Sequence, residues 1–457
     1  MVSASRSPRP KRHYVCRSCG VSAATWIGRC TSCQEWGTVE EVQALPRVRA
    51  APAAVLRPLG DFVAGGSVPL PTGVGEVDRV LGGGIVAGSV TLLSGEPGIG
   101  KSTLTLQIAL AIAGTGASVV LVTGEEAPAQ VAARAARLGS LPPTLTVLDC
   151  TSTEMIQDMM AADRPQLVVV DSVQTLRVEG IDSSAGSVTQ VRESATALVA
   201  EAKRHDVSVM LVGHVTKDGS LAGPRLLEHL VDTVLTFTGD RSSDLRFLRS
   251  VKHRFGPTTE TGIFEMGAGG LAPVLDPSRR FLRDRVKGAA GSTVVPILAG
   301  HRPVMVEIQA LTAPRGEQAA QLAVQGVATS RVRLVLAVMQ QRADVPVLSR
   351  DVFVSLVGGS STDDPGLDLA MAFALRSSLS GTPVAVDLVA CAELGLAGEL
   401  RSPTQLDRRL QEAYRLGFRQ AVVPASVERG PTGLRLLRCG SLSDALDILL
   451  PALARTA

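Results

Sequence analysis

The sequence predicts an α/β protein in several parts, and three observations lead to this fold class. Short β-branched runs such as SVVLVTG and QLVVVDS alternate with helical stretches between residues 60 and 275, which is typical of a parallel sheet covered by helices. Two Cys-x2-Cys pairs lie within the first forty residues, and strand and helix patterns resume after residue 280. We therefore expect a metal-binding module at 1–40, a linker at 41–59, a central domain at 60–275 and a second α/β domain at 280–457.

Composition excludes several classes of protein. With 45% hydrophobic and 19% charged residues, the chain does not have the composition of an intrinsically disordered protein. Its 46 Lys and Arg against 43 Asp and Glu argue against a histone-like basic protein, although a local basic patch could still bind nucleic acid. Neither a membrane span nor the apolar core of a signal peptide is evident. We expect a cytoplasmic protein without a membrane partner.

The four N-terminal cysteines have the spacing of two zinc knuckles. Cys16 and Cys19 form the first pair, and Cys30 and Cys33 form the second. Four thiolates complete the tetrahedral shell of Zn²⁺ and leave no position for water, so the predicted site is structural. A module of this size has too little core to fold unaided, and metal binding would stabilise it. Four unrelated buried cysteines are the alternative.

A phosphate-binding loop lies between a predicted strand and a predicted helix. The motif GEPGIGKST comprises Gly95, Glu96, Pro97, Gly98, Ile99, Gly100, Lys101, Ser102 and Thr103. In such a loop, backbone N–H groups bind the phosphates of a nucleotide, the lysine reaches the β- and γ-phosphates, and the hydroxyl holds Mg²⁺. ATP with Mg²⁺ is the expected ligand.

Polar side chains at the ends of three further strands can complete this site. Asp171 ends QLVVVDS, where it would share Mg²⁺ with Ser102. Glu125 and Glu126 follow SVVLVT, and either carboxylate could polarise the attacking water. His214 ends VSVMLVGH, where it could contact the γ-phosphate. The alternatives are a capping aspartate and a histidine that is simply hydrogen-bonded.

Together these motifs resemble one family of bacterial DNA repair proteins, the RadA (Sms) family. The resemblance also rests on GHVTKDGSLAGPRLLEHLVDTVL and VKHRFG, and it covers nearly the whole chain. It implies a RecA-like ATPase that forms a homo-hexameric ring similar to DnaB helicases and binds single-stranded DNA. Such a protein would drive branch migration or D-loop extension on branched recombination intermediates, with a RecA-type recombinase as partner. It also implies that Glu125 is the catalytic glutamate and that His214 is the counterpart of the RecA glutamine switch.

The family pentapeptide Lys-Asn-Arg-Phe-Gly is represented here by residues 252–256, in which His253 replaces the asparagine. We expect a strand near SVKH, with Lys252 and Arg254 on one face and His253 on the other. In KaiC-like and DnaB-like rings, basic residues at this place reach the γ-phosphate bound by the neighbouring subunit. Lys252 and Arg254 are therefore candidate catalytic residues in trans, and a solvated edge strand is the alternative.

The segment at 363–413 resembles the catalytic region of Lon-type proteases without its catalytic dyad. Gly366 stands at the position of the nucleophilic serine, and Arg409 stands at that of the lysine. Glycine has no nucleophile, and arginine stays charged, so it cannot act as a base. We expect no protease activity, and a platform for oligomerisation or for DNA instead.

Two loops after strands of the central domain are candidate DNA contacts, because RecA-like rings place such loops at their channel. The segment at 177–194 is expected to be polar and flexible with Arg177 at its start, and the segment at 216–225 carries Lys217 and Arg225. With few aromatic residues in the chain, we expect contacts mainly to phosphates. The competing hypothesis is a KaiC-like ring ATPase that switches a protein partner without nucleic acid.

Overall fold

The structure is a computed structural model, which describes residues 13–23, 25–42, 68–214, 227–239, 244–300, 302–315, 321–357 and 362–449. Two structural units are separable along the chain. The first contains the residues up to Gly239 together with Arg246–Thr258 and Phe264–Pro273, and the second consists chiefly of the residues from Val274 onward. Within the described ranges, no helix is both long and apolar enough to cross a bilayer.

The N-terminal module is a three-stranded antiparallel sheet. Its strands are His13–Cys16 (β1), Ser22–Ala23 (β2) and Val39–Val42 (β3), with β1 in the centre. The buried cluster of this module consists of Cys16, Cys30 and Val39. So small a cluster fits a fold that depends on its metal.

The central sheet has nine strands in the order β12-β11-β10-β9-β4-β8-β7-β5-β6. Their bounds are Val90–Gly95 (β4), Val119–Thr123 (β5), Leu145–Asp149 (β6), Leu167–Asp171 (β7), Ser208–His214 (β8), Thr233–Thr238 (β9), Leu245–His253 (β10), Thr261–Gly267 (β11) and Gly270–Pro273 (β12). Strands β4 to β9 are parallel to their neighbours, whereas β10 is antiparallel to β9. The five runs predicted as strands of a parallel sheet are confirmed.

Helices cover both faces of this sheet. They span Gly75–Val80 (α1), Lys101–Gly114 (α2), Pro128–Leu138 (α3), Thr153–Asp163 (α4) and Val188–His205 (α5). One apolar cluster packs α1 and α2 against one face, and a second packs α4 and α5 against the other. Burial on both faces explains why the strands read as continuous apolar runs instead of alternating ones.

The second unit contains a seven-stranded sheet in the order β15-β16-β14-β13-β17-β20-β21 and a separate β18-β19 pair. The strands span Ser292–Ala299 (β13), Arg302–Pro314 (β14), Leu322–Gln325 (β15), Arg350–Leu356 (β16), Leu388–Ala390 (β17), Glu393–Leu394 (β18), Leu400–Arg401 (β19), Gln420–Pro424 (β20) and Arg435–Cys439 (β21). The helices span Pro277–Leu282 (α6), Thr329–Arg342 (α7), Asp368–Ser380 (α8), Leu406–Arg415 (α9) and Leu442–Asp447 (α10). This unit is therefore a second α/β fold, with a mixed sheet.

Of two predictions about local structure, one is wrong in part and the other agrees with the structure. The segment at 177–194 is not a flexible loop throughout, because α5 begins at Val188 and the Ser187 side chain caps it. The amide of Gln190 also donates to carbonyls of the preceding turn and holds that turn in place. The strand predicted near SVKH is the end of β10, and its pairing with β9 is regular from Lys252 onward, after a register shift between Ser250 and Lys252. Lys252 and Arg254 both contact the segment 228–232, whereas His253 contacts Leu81 on another side, as the predicted alternation requires.

Candidate nucleotide site and candidate metal centre

The phosphate-binding loop connects β4 to α2 in a backbone conformation that requires glycine. Gly100 has a φ of 111°, and helix α2 begins at the next residue, Lys101. A Cβ atom on Gly95 would lie 2.4 Å from the carbonyl oxygen of Phe237 on β9. The spacing of glycines in the motif therefore follows from both the turn and the close packing of β4 on β9.

The side chain of Lys101 lies inside this loop and is 4% exposed. Its Nζ atom donates to the carbonyl oxygens of Gly95 at 2.8 Å and Glu96 at 3.0 Å. Burial lowers the pKa of Lys101 from its usual value, and the charges of Asp171 and Glu125 oppose that shift. The ammonium is thus held beside the two carboxylates that the sequence predicted for the same site.

One cavity brings together three of the predicted catalytic side chains and the serine predicted to hold Mg²⁺. Ser102, Glu125, Glu126 and Asp171 line it. Asp171 ends β7 directly beside Thr123, the last residue of β5, so the two strand ends open at the same edge of the sheet. Parallel α/β sheets bind ligands at this carboxyl edge.

The two glutamates of this cavity have different partners. The hydroxyl of Ser172 donates to Glu125 Oε1 at 2.5 Å, whereas Glu126 forms an ion pair with Arg134 at 2.8 Å. Neither partner was predicted from the sequence. Glu126 is thus paired with a cation, whereas Glu125 accepts from a hydroxyl, and the charge of Glu125 raises the pKa of Lys101 against the effect of burial.

His214 ends β8 next to Gly95 of β4 in the register of the sheet. Its backbone therefore lies beside the phosphate-binding loop, and its side chain lies outside the described parts of the chain. Lys217 and Arg225 lie outside the described residues as well. Arg177 is exposed, and its backbone is held by Thr151 and Thr153.

Lys252 and Arg254 do not lie at the phosphate-binding loop of their own chain. Their partner segment includes Asp232, and Asp232 Oδ2 accepts from the N–H of Val90, the first residue of β4. Five residue steps of strand, roughly 16 Å, separate Val90 at that end of β4 from Gly95. These two cations therefore cannot act on the nucleotide of their own subunit from this position.

Both cations have partners within the chain. Lys252 Nζ donates to the carbonyl oxygens of Glu228 at 2.5 Å and Val231 at 2.8 Å. Arg254 forms an ion pair with Asp232 at 3.2 Å, and the Asp232 side chain is 4% exposed. Burial lowers the pKa of Lys252, and the nearby charge of Arg254 lowers it further. Asp232, which sequence reasoning missed, is the anion beside these cations.

His253 forms hydrogen bonds with both of its ring nitrogens. Nε2 lies 3.2 Å from the carbonyl oxygen of Leu81, so this nitrogen carries the hydrogen, and Nδ1 lies 2.9 Å from the hydroxyl of Thr233. Burial lowers the pKa of His253, which favours this neutral form. The side chain thus supplies one donor and one acceptor, and an asparagine amide offers the same pair.

The four cysteines converge as a metal site requires. Their Sγ atoms all lie within 4.8 Å of one another, with Cys16 to Cys33 and Cys19 to Cys30 each at 3.5 Å. Tetrahedral Zn–S bonds of about 2.3 Å place sulfurs roughly 3.8 Å apart, so the donor set fits Zn²⁺. Backbone N–H groups of Cys33 and Ser32 lower the pKa of Cys30, whereas, against the backbone N–H of Glu35, burial and the neighbouring thiols raise the pKa of Cys33.

In the second unit, Gly366 and Arg409 lie beside each other. A Cβ atom on Gly366 would be 2.8 Å from Arg409 NH1. The Arg409 side chain is 1% exposed and forms an ion pair with Asp364 at 2.7 Å. It also donates to the carbonyl oxygens of Thr404 and Pro296, each at 2.8 Å. No hydroxyl stands at position 366, and the cation at 409 is fully engaged.

Comparison with known proteins identifies both the central domain and the N-terminal module. Residues 73–220 match the family model described as AAA domain, and residues 14–41 match that of the rubredoxin metal binding domain. The chain is 42% identical to the DNA repair protein RadA of Mycobacterium tuberculosis over 96% of this chain and 93% of that protein. The corresponding figures are 40%, 96% and 98% for RadA of Bacillus subtilis, and 41%, 96% and 99% for RadA of Aquifex aeolicus. The predicted family resemblance and fold class are confirmed.

Proposed function

This chain belongs to the family of DNA repair proteins named RadA and is a DNA repair ATPase, and from that premise we propose that it is an ATP-driven motor in recombinational repair. It binds single-stranded DNA and promotes branch migration or D-loop extension of recombination intermediates. The observation that carries the proposal is the convergence of Lys101, Ser102, Asp171 and Glu125 at the carboxyl edge of one parallel sheet.

We assign distinct roles to the residues of the nucleotide site. Residues 95–103 bind the phosphates of ATP, and Lys101 stabilises the charge that develops on the transferred phosphoryl group. Ser102 and Asp171 would hold Mg²⁺, which would neutralise negative charge on the phosphates. Glu125 activates the water in preference to Glu126, since the ion pair with Arg134 engages Glu126. His214 responds to the γ-phosphate.

Lys252 and Arg254 are proposed to act on the nucleotide of a neighbouring subunit in a homo-hexameric ring. Their position at the far end of β4 from Gly95 supports action in trans over action in cis. Reaching a neighbour requires Arg254 to leave Asp232, so assembly and hydrolysis would be coupled. If Lys252→Ala or Arg254→Ala subunits regain turnover when mixed with Lys101→Ala subunits, the role in trans is supported. Loss of DNA affinity without rescue would instead identify a DNA contact.

The remaining parts of the chain are proposed to support the motor. The module at 1–40 binds zinc and engages a partner, with 41–59 as its linker, and 60–275 is the ATPase domain. The domain at 280–457 has a Lon-like fold and serves as a platform for oligomerisation or DNA. The engaged Arg409 and the absent hydroxyl at Gly366 support a domain without protease activity. Arg177 is a candidate phosphate contact, and we propose a cytoplasmic location.

The deciding experiment measures ATP turnover with and without single-stranded DNA. We expect stimulation that weakens steeply as salt rises, because phosphate contacts release counterions. The alternative function, a KaiC-like ring ATPase that switches a protein partner, predicts turnover that is indifferent to DNA. Turnover unchanged by DNA at low salt would exclude the motor and favour that alternative.

A further inference from the structure

A buried arginine from a distant part of the chain contacts the phosphate-binding loop. Arg246 lies on β10 and is 9% exposed. Its Nε atom donates to the carbonyl oxygen of Ile99, a residue inside the loop, at 3.1 Å. Ile99 is buried as well. The two residues are 147 positions apart in sequence, so the fold of the central sheet is what brings this cation to the loop.

This contact fixes the direction of one peptide group of the loop. The peptide between Ile99 and Gly100 is trans, and in a planar trans peptide the C=O and the N–H point in opposite directions. Because the carbonyl points at Arg246, the N–H of Gly100 points away from it. Within the part of the chain that the structure describes, this N–H donates to no carbonyl or side chain. It is therefore available to a phosphate, as the N–H groups of such loops are.

Apolar side chains confine the same turn of the loop. A Cβ atom on Gly100 would lie 2.5 Å from Met266 Cε, and it would also contact Phe237 at 3.6 Å and Leu271 at 3.7 Å. These side chains belong to β9, β11 and β12. The packing leaves the peptide little room to turn, so the hydrogen bond from the arginine acts on a group that is already confined.

Two different cations contact carbonyls of this loop, and their tasks differ. Lys101 donates to the carbonyl oxygens of Gly95 and Glu96. The ammonium of this lysine has a second task, because it reaches the β- and γ-phosphates of a bound nucleotide. The contact of Arg246 has no competing task, since it lies on the opposite side of its peptide from the N–H that would bind phosphate. It can therefore persist when the nucleotide is bound.

A charged donor has two effects at this place that a neutral donor lacks. A hydrogen bond from a guanidinium is stronger than one from a neutral group, and it polarises the peptide so that the N–H at the other end is a better donor. The positive charge also lies one peptide group away from the bound phosphates, in a region from which water is largely excluded. A hydroxyl or an amide would satisfy the buried carbonyl of Ile99 without either effect.

We propose that Arg246 is a positioning residue for nucleotide binding, which holds and polarises the Ile99–Gly100 peptide so that the Gly100 N–H binds the α- or β-phosphate. The proposal rests on the role proposed above for residues 95–103. ADP and ATP share these two phosphates, so the arginine contributes equally to the affinity for both. It does not act on the γ-phosphate and is not a catalytic residue.

The test compares two arginines of the same strand. Arg246→Met removes the cation and keeps a long side chain, and Arg249→Met, at an exposed arginine of β10, is the matched control. With fluorescently labelled ADP and ATP, we expect Arg246→Met to raise both dissociation constants about tenfold. The KM for ATP should rise by a similar factor while kcat stays within about threefold of wild type. Arg249→Met should leave all four quantities unchanged.

The same measurements show whether Arg246 only stabilises the fold. A purely structural arginine would lower the amount of folded protein, so the apparent kcat would fall while the KM and both dissociation constants stayed at their wild-type values. That pattern, or a loss of affinity for ATP without a loss for ADP, would overturn the proposal.

Two milder substitutions decide the matter if Arg246→Met does not fold. Arg246→Lys keeps the charge, and Arg246→Gln keeps a neutral donor of similar length. We expect ADP to bind the lysine variant more tightly than the glutamine variant, and both more weakly than the wild type. Wild-type affinity in the glutamine variant would show that the charge is not used, and the proposal would fail.

Lys101→Ala in the same assay separates this proposal from the proposed function. If Lys101→Ala weakens the binding of ATP while the Arg246 variants bind both nucleotides as the wild type does, only the role of Arg246 is wrong. If none of these variants changes the affinity for ATP, the nucleotide does not bind at this loop, and the proposed function fails together with the role of Arg246.

Discussion

The nucleotide site and the region around Arg409 both gather charged side chains in an α/β fold, yet they use them differently. At the nucleotide site, Ser102, Glu125 and Asp171 line a small cavity. Around Arg409, the guanidinium is buried against Asp364 and two backbone carbonyls, and no space remains for a side chain at Gly366. A binding site keeps its charges on a cavity wall, whereas charges used for structure are paired inside the protein.

The largest effect is expected at the nucleotide site. Lys101→Ala should reduce ATP turnover at least about a hundredfold, because the ammonium stabilises the transition state. The matched control is Lys287→Ala, at an exposed lysine in the second unit, which should keep wild-type turnover. The test is the steady-state ATP turnover of both folded variants. Turnover within twofold of wild type for Lys101→Ala would show that this site does not use Lys101 for hydrolysis, and the contrast with the region around Arg409 would be lost.

Around Arg409 we expect a substitution to lower the free energy of unfolding and not the ATP turnover. Arg409→Met leaves the buried Asp364 without its cation, which typically costs about 3–5 kcal/mol in the free energy of unfolding. The neighbouring Arg408 is exposed, so Arg408→Met should cost little. Chemical denaturation of the two variants measures the difference. Equal stability would mean that the buried ion pair contributes nothing.

The stability of the second unit should also depend on pH, through the buried carboxyl of Asp368. Burial raises the pKa of Asp368 to about 6, against the opposing hydrogen bonds from Arg331. Between about pH 4 and pH 6 the folded chain therefore binds more protons at this carboxyl than the unfolded chain does. Its contribution to stability is greatest below pH 4 and falls, by about 2–3 kcal/mol in total, as the pH rises through 6.

Asp368→Asn removes that titration and keeps the shape of the side chain. The difference in unfolding free energy between wild type and variant should change with pH in this window, and other titrating groups cancel in the difference. Denaturation at pH 4, 5, 6 and 7 measures it. A constant difference would show that Asp368 is ionised throughout.

A smaller effect is expected at His253. His253→Asn should keep ATP turnover within about twofold, because the amide can donate to Leu81 and accept from Thr233 as the ring does. His253→Ala, which loses both hydrogen bonds, should lower turnover more. If the alanine and asparagine variants behave alike, the hydrogen bonds of His253 do not position this turn.

The smallest expected effect is on peptidase activity, which we do not expect to appear. Gly366→Ser combined with Arg409→Lys restores the residue types of a Ser–Lys dyad, yet we expect no peptidase activity. Asp364 would keep the new lysine charged, and a charged amine cannot act as a base. Casein degradation by the double variant is measured, with the wild type as control. Any clear activity would show that this region lacks only those two side chains of a Ser–Lys protease.

Local sequence predicted those parts of the site that depend on spacing along one segment. Lys101 and Ser102 follow from a glycine pattern, and Asp171 follows from the end of an apolar run. The partners Arg134, Ser172 and Asp232 could not be predicted in this way, since the Ser172–Glu125 contact and the Asp232–Val90 contact join residues far apart in sequence. The contact between Arg246 and Ile99 could not be predicted for the same reason.

The ion pair between Asp232 and Arg254 joins the end of β10 to the start of β9, the strand beside β4. Asp232 bonds to the first N–H of β4, and the last residue of β4 begins the phosphate-binding loop. A partner that draws Arg254 away would leave this buried carboxylate with Lys203 at 3.4 Å and with the nearby charge of Lys252. Displacement of the turn at 254–256 is therefore expected to shift β4 along its length, and with β4 the phosphate-binding loop that begins at Gly95.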